Sequence, residues 1–122
     1  MSVELKWHPT LPVLVATYRG TLSGKEYDKM VEERAKLLKQ GPDQVVFLAD
    51  TRDLQSFTDA EIAARRESIF ANPRVIHTLV ILQDEVYRRF MPSFMKDAAK
   101  QFPVSFATDP DLALTGLTAL LR

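Results

Sequence analysis

Apolar and polar positions alternate from the start of the chain: Val3, Leu5 and Trp7 are separated by Glu4, Lys6 and His8. A period of two predicts a strand with one face buried. Pro9-Thr10-Leu11-Pro12 predicts a turn, because two prolines remove backbone donors and fix φ. From Val13 to Arg19 the run VLVATYR is β-branched and aromatic, as a second strand requires. The short connection pairs these two strands antiparallel.

The period then changes. Tyr27, Met30, Val31, Leu37 and Leu38 recur at helical spacing, with Ala35 between them. Ser23 and Glu26 have capping-box spacing at the start, and Leu22 with Tyr27 sit where a hydrophobic staple would be. Gly41-Pro42 supplies the stop. Val45 to Ala49 (VVFLA) is apolar throughout, which predicts a strand covered on both faces. A second helix is expected from Thr58 to Phe70, with Ile62, Ala63, Arg66, Ile69 and Phe70 along one side. Asn72-Pro73 ends it.

Val75 to Leu82 (VIHTLVIL) predicts a fourth strand. Glu85 to about Phe102 predicts a third helix that Pro92 should kink or break. Val104 to Ala107 is a short fifth strand. Asp109 as N-cap and Pro110 at the first helical position then open a last helix. Leu112, Ala113, Gly116, Leu117, Leu120 and Leu121 form its apolar stripe. The order is β-β-α-β-α-β-α-β-α. Strands separated by helices imply parallel neighbours and right-handed crossovers. The expected fold class is α/β: a mixed five-stranded sheet with an N-terminal antiparallel hairpin, mostly parallel strands after it, and four helices. Residues 1–122 read as one domain.

Composition narrows the function classes. A chain of 122 residues that is 46% hydrophobic and 26% charged has enough material for a core without staples. Its 16 basic and 16 acidic residues give a net charge of zero, so there is no long-range attraction for a phosphate backbone. Nucleic acid is therefore not expected as a partner. With no cysteine, disulfides, thiolate zinc sites and thiol nucleophiles are excluded. The two histidines, His8 and His77, have no spaced partner, and no metal or cofactor is expected. Neither a nucleophile elbow nor a glycine-rich phosphate loop is present. The opening MSVELKWHP lacks a signal-peptide pattern, and no apolar stretch approaches the ~20 residues that span a bilayer. These features lead to the expectation of a cytoplasmic protein.

Four segments carry a family resemblance: Tyr18-Arg19-Gly20-Thr21-Leu22-Ser23 before the first helix, Val46-Phe47-Leu48-Ala49-Asp50, Ile76 to Leu82, and Phe106-Ala107-Thr108-Asp109-Pro110-Asp111-Leu112-Ala113. In that order they resemble the bacterial SpoIIAA-like family, related in fold to the STAS domain of sulphate transporters and anti-sigma-factor antagonists. The resemblance implies a small α/β protein without catalytic activity that binds apolar or lipid-like ligands and touches membranes. Antagonists of the wider group carry a phosphorylated serine in a Ser-Ser-Gly-like turn after the central strand. Phe57-Thr58-Asp59-Ala60 takes that place here, without the serine pair or the glycine.

Three regions then compete as sites. Thr58 and Glu61 repeat the capping-box spacing, with Phe57 and Ile62 as a staple, so a cap explains Thr58 without a switch. A phosphate there would also sit beside Asp59 and Glu61. Asp50, Thr51, Arg52 and Asp53 are expected just past the end of the central strand, where α/β sheets bind ligands. The blander reading, a surface ion pair among turn residues, is preferred for them. The third helix carries a wide aromatic and methionine stripe of Val86, Tyr87, Phe90, Met91, Phe94, Met95, Ala98 and Phe102. Core packing accounts for such a stripe, yet the same side chains build adaptable apolar pockets, and a basic amphipathic helix rests on anionic membranes.

The leading expectation is a non-enzymatic binder of a small apolar or amphipathic ligand. Tyr87, Phe90, Met91 and Phe94 would line its pocket, with Arg88 or Arg89 meeting a headgroup or carboxylate. Peripheral contact with the inner face of the membrane belongs to this reading. One alternative is a STAS-type regulatory module that binds a protein partner through the start of the second helix, with a phosphoswitch at Thr58 and with Asp50 as a further candidate switch or anion site. The other is an enzyme using Asp50, Asp53 and Arg52. A homodimer fits the apolar content, with no segment marking its interface.

Overall fold

The computed structural model describes residues 3–57, 72–85, 87–88 and 104–120. In chain order the elements are β1 (Val3–Trp7), β2 (Val13–Leu22), α1 (Gly24–Gln40), β3 (Val45–Phe57), β4 (Val75–Ile81), β5 (Val104–Ala107) and α2 (Pro110–Leu120). The five strands form one sheet in the order β1-β2-β3-β4-β5. β1 runs antiparallel to β2, and every later neighbour is parallel. The mixed sheet and its edge hairpin are as expected. Of the four expected helices, the first and last are α1 and α2. The second and most of the third fall outside the described residues.

Alternation along the strands builds two cores, one on each face. Leu14, Ala16, Val45, Phe47 and Ala49 pack with Tyr27, Met30 and Leu38 of α1. Their neighbours Val13, Val46, Leu48, Leu79 and Ile81 point to the opposite face, where Ala113 and Leu114 of α2 cover them. A central strand buried on both faces must be apolar at every position, which is why VVFLA does not alternate.

Helix α1 starts as its sequence predicts. Ser23 accepts the Glu26 N–H at 3.2 Å, and Leu22 and Tyr27 are both buried in the α1-side core. Its buried stripe, however, runs Tyr27, Met30, Arg34, Leu38. Arg34 occupies an apolar position because its guanidinium lies over the Phe47 ring, 5.0 Å from the centroid. Tyr18 is buried nearby; burial pushes its phenol well above the usual range, partly offset by Arg34, so it stays neutral. At the other end Gly41 has φ −92°, an extended conformation. Its lack of a side chain serves packing: a Cβ there would lie 2.5 Å from the Trp7 indole. Arg74 donates to the Gly41 carbonyl at 3.1 Å and satisfies the helix end.

β2 and β3 are both longer than their apolar runs. They pair through Leu22 and Phe57, with register shifts after Thr17 and after Gly20. Gly20 adopts φ +64°, a left-handed conformation that only glycine takes cheaply, and this lets the strand pass its irregularity. The expected end of β3 at Ala49 is therefore corrected to Phe57. The polar segment TRDLQS stays extended because the continuation of β2 offers it a ladder.

Candidate functional site

The carboxyl ends of β3, β4 and β5 gather the polar chemistry of the described residues. Asp50 is opposite Thr17 of β2 and Ile81 of β4, so it lies inside the strand and not beyond its end. Arg52, two residues on, shares its face. The Arg52 guanidinium donates Nε–H to Asp50 Oδ1 at 3.0 Å and Nη2–H to Oδ2 at 2.8 Å. The Arg52 backbone N–H adds a third bond to Oδ1 at 3.2 Å. Burial alone would raise the Asp50 carboxyl, but the Arg52 hydrogen bonds and charge outweigh it and hold the group below its usual range, with help from Arg19. The guanidinium is stabilised in turn by its bond to Asp50 and by Asp53 and Asp109 nearby.

Two side chains lock this overhang to the end of β4. Thr51 donates to the Ile81 carbonyl at 2.8 Å, and Gln83 donates its side-chain amide to the Arg52 carbonyl. Beyond β4 the chain turns into helix at residues 84–85 and 87–88, with the Tyr87 N–H bonded to the Gln83 carbonyl at 2.8 Å. The Leu82 N–H reaches the Ala107 carbonyl, also at 2.8 Å, and so fixes β5 beside it. Asp109 then caps α2, accepting the Asp111 N–H at 2.9 Å, and its carbonyl takes the Ala113 N–H at 3.0 Å.

Between these ends lies a cleft of about 460 Å³, lined chiefly by Tyr87, Arg88, Phe106, Thr108, Asp109 and Leu112. That volume falls in the range of small-molecule sites. Tyr87 is half-buried and Arg88 exposed. Leu112 is 73% exposed, a large apolar side chain left facing solvent beside an aromatic floor. The sequence had placed Leu112 in the buried stripe of the last helix. Ala113 of that stripe does pack on the sheet, with Leu114 beside it, and this packing turns Leu112 toward the cleft. Phe106 and Leu112 are the large apolar lining residues that sequence reasoning missed, and the polar Thr108 and Asp109 were missed with them, Asp109 having been read only as a helix cap. The other expected site residues, Thr58, Arg89, Phe90, Met91 and Phe94, lie outside the described residues.

No family model and no curated protein matches the chain. Among solved structures it is similar to an uncharacterized protein of the DUF3478 family with a SpoIIAA-like fold from Shewanella loihica PV-4. The two share 16% identity with a TM-score of 0.68, over 94% of this chain and 91% of the other. This chain has a SpoIIAA-like fold.

In this SpoIIAA-like frame the cleft sits where parallel sheets place ligands, outside the carboxyl ends of the strands. The Asp50–Arg52 pair beside it has little free valence: both carboxylate oxygens are taken, and the low proton affinity of Asp50 makes it a weak base. His77 bonds Ser105 at 2.7 Å across β4 and β5, and burial lowers its basicity. Among the described residues no group of three His, Asp or Glu is placed to hold a metal ion. No described helix is long and apolar enough to cross a membrane.

Proposed function

We propose that this SpoIIAA-like protein binds a small amphipathic ligand, without catalysing its conversion, in the cleft at the ends of β4 and β5. The observation that carries the reading is the cleft itself: Tyr87, Phe106 and Leu112 offer apolar surface, and Arg88 offers a cation at the same opening. An apolar body with one anionic group matches that lining, because the guanidinium pairs bidentately with a carboxylate or phosphate. The neighbouring Asp50–Arg52 pair serves as scaffolding, holding the long β2–β3 ribbon beside the site. Phe90, Met91 and Phe94 extend the apolar wall in this proposal, with Arg89 as a second cation, and an anionic membrane surface is the source of the ligand.

Native mass spectrometry of gently purified protein tests the reading. An adduct of lipid or fatty-acid mass is expected in the wild type, lost in Tyr87→Ala and weakened in Arg88→Gln. Flotation with vesicles containing anionic lipid is expected as well. A bare protein that also ignores such vesicles would sink the proposal.

A further inference from the structure

The outer edge of β1 carries a second message. Among the described residues β1 has a neighbour strand on one side alone. The directions of its backbone groups follow from two hydrogen bonds. The Val46 N–H donates to the Pro12 carbonyl at 3.0 Å, so Pro12, and with it Leu14 and Ala16, turn their backbone groups toward β3. Val13, Val15 and Thr17 therefore face β1. The His8 N–H bonded to the Val13 carbonyl at 2.8 Å agrees, placing His8, Lys6 and Glu4 on the β2 side. The N–H and C=O groups of Val3, Leu5 and Trp7 are thus the ones that point away from the sheet.

These three residues are spaced symmetrically about Leu5. A second β1 laid antiparallel with a two-fold axis at Leu5 sets Leu5 opposite Leu5 and Val3 opposite Trp7, all as hydrogen-bonded pairs. The same axis brings Glu4 opposite Lys6 of the other copy, twice, at the closer non-hydrogen-bonded positions. Both side chains are exposed and lie on the face away from α1. A lone lysine on an edge strand deters pairing. Glu4 and Lys6 together make the edge complementary to itself.

We infer that β1 is the contact strand of a homodimer, in which two copies continue one sheet by antiparallel β1–β1 pairing about Leu5. Five-residue strands bury little surface by the standards of stable complexes, so the dimer is concentration-dependent. The inference is independent of the ligand reading.

Sedimentation equilibrium of the full chain across a concentration series tests it by charge swapping. Wild type should show a monomer–dimer equilibrium. Glu4→Lys alone and Lys6→Glu alone each place like charges opposite one another and should weaken the dimer by about tenfold. An equimolar mixture of these two variants restores opposite charges at every pair and should recover dimer that neither forms alone. Leu5→Pro removes one outward donor and leaves the β1–β2 ladder intact, and it should abolish association. Thermal melts establish that each variant is folded, since Glu4 and Lys6 are exposed. A wild type that stays monomeric at millimolar concentration overturns the proposal. So does a dimer indifferent to the charge swaps and to Leu5→Pro, because its interface then lies elsewhere.

Discussion

Two regions of the molecule use the same residue types to opposite ends. On the α1 side, Leu14, Leu22 and Phe47 are sealed beneath a capped helix, and even an arginine is drawn in and stacked. At the carboxyl ends of β4 and β5, Tyr87 is half-open and Leu112 stands in solvent next to Phe106. The first region spends its apolar surface on stability. The second leaves part of it open at the cleft.

The sharpest way to break that contrast is to delete one leucine from each region. Leu14→Ala, at a position with no exposed surface, should cost about 3–4 kcal/mol in urea denaturation, through lost transfer energy and a residual cavity. Leu112→Ala should change stability by no more than about 0.5 kcal/mol while weakening ligand capture. Equal costs would mean that the cleft is part of the core after all.

A middle-sized effect tests the seal at the end of α1. Gly41→Ala should destabilise by about 1–3 kcal/mol, because the new Cβ meets the Trp7 indole. The penalty should shrink in a Trp7→Leu background, where the obstruction is gone. At the start of the same helix, Ser23→Ala should cost about 1 kcal/mol by removing the acceptor for the Glu26 N–H. Thermal melts read both.

The smallest effects are electrostatic. His77 has its basicity lowered by burial, so the unfolded chain binds a proton before the folded one does. Its contribution to stability is complete above the unfolded value of about 6.5 and is lost as pH falls through the lower folded value. His77→Gln should flatten the slope of stability against pH on that acid side and leave the slope unchanged near pH 8. Asp50 follows the same sign further down, below about pH 4, with Arg52 as the cause. The pair is partly exposed, so Asp50→Asn should cost no more than about 1 kcal/mol.

How far the chain could be read in advance depended on the range of the interaction concerned. The strand β1, the start of β2, the Ser23 cap and the Asp109-Pro110 start of α2 rest on contacts within a few residues, and all were legible. Tyr87 and Arg88 were legible as candidates because they belong to a wide aromatic and methionine stripe with a basic side. Leu112 and Phe106 were not, since an apolar residue carries no mark of whether its neighbours leave it open.

Alternation, capping spacing and proline placement determined by themselves the types of the described elements, the edge hairpin and the two-sided burial of the central strand, because each follows from backbone geometry repeated along the chain. Four things were decided by tertiary structure alone. β3 runs on through TRDLQS because β2 lies beside it. Arg34 is buried because Phe47 gives its charge a face to rest on. Gly41 is required by Trp7, thirty-four residues earlier in the chain. Leu112 faces a cleft because Ala113 and Leu114 take the side of α2 that packs on the sheet. In each case the partner is a surface that does not exist until the sheet has formed.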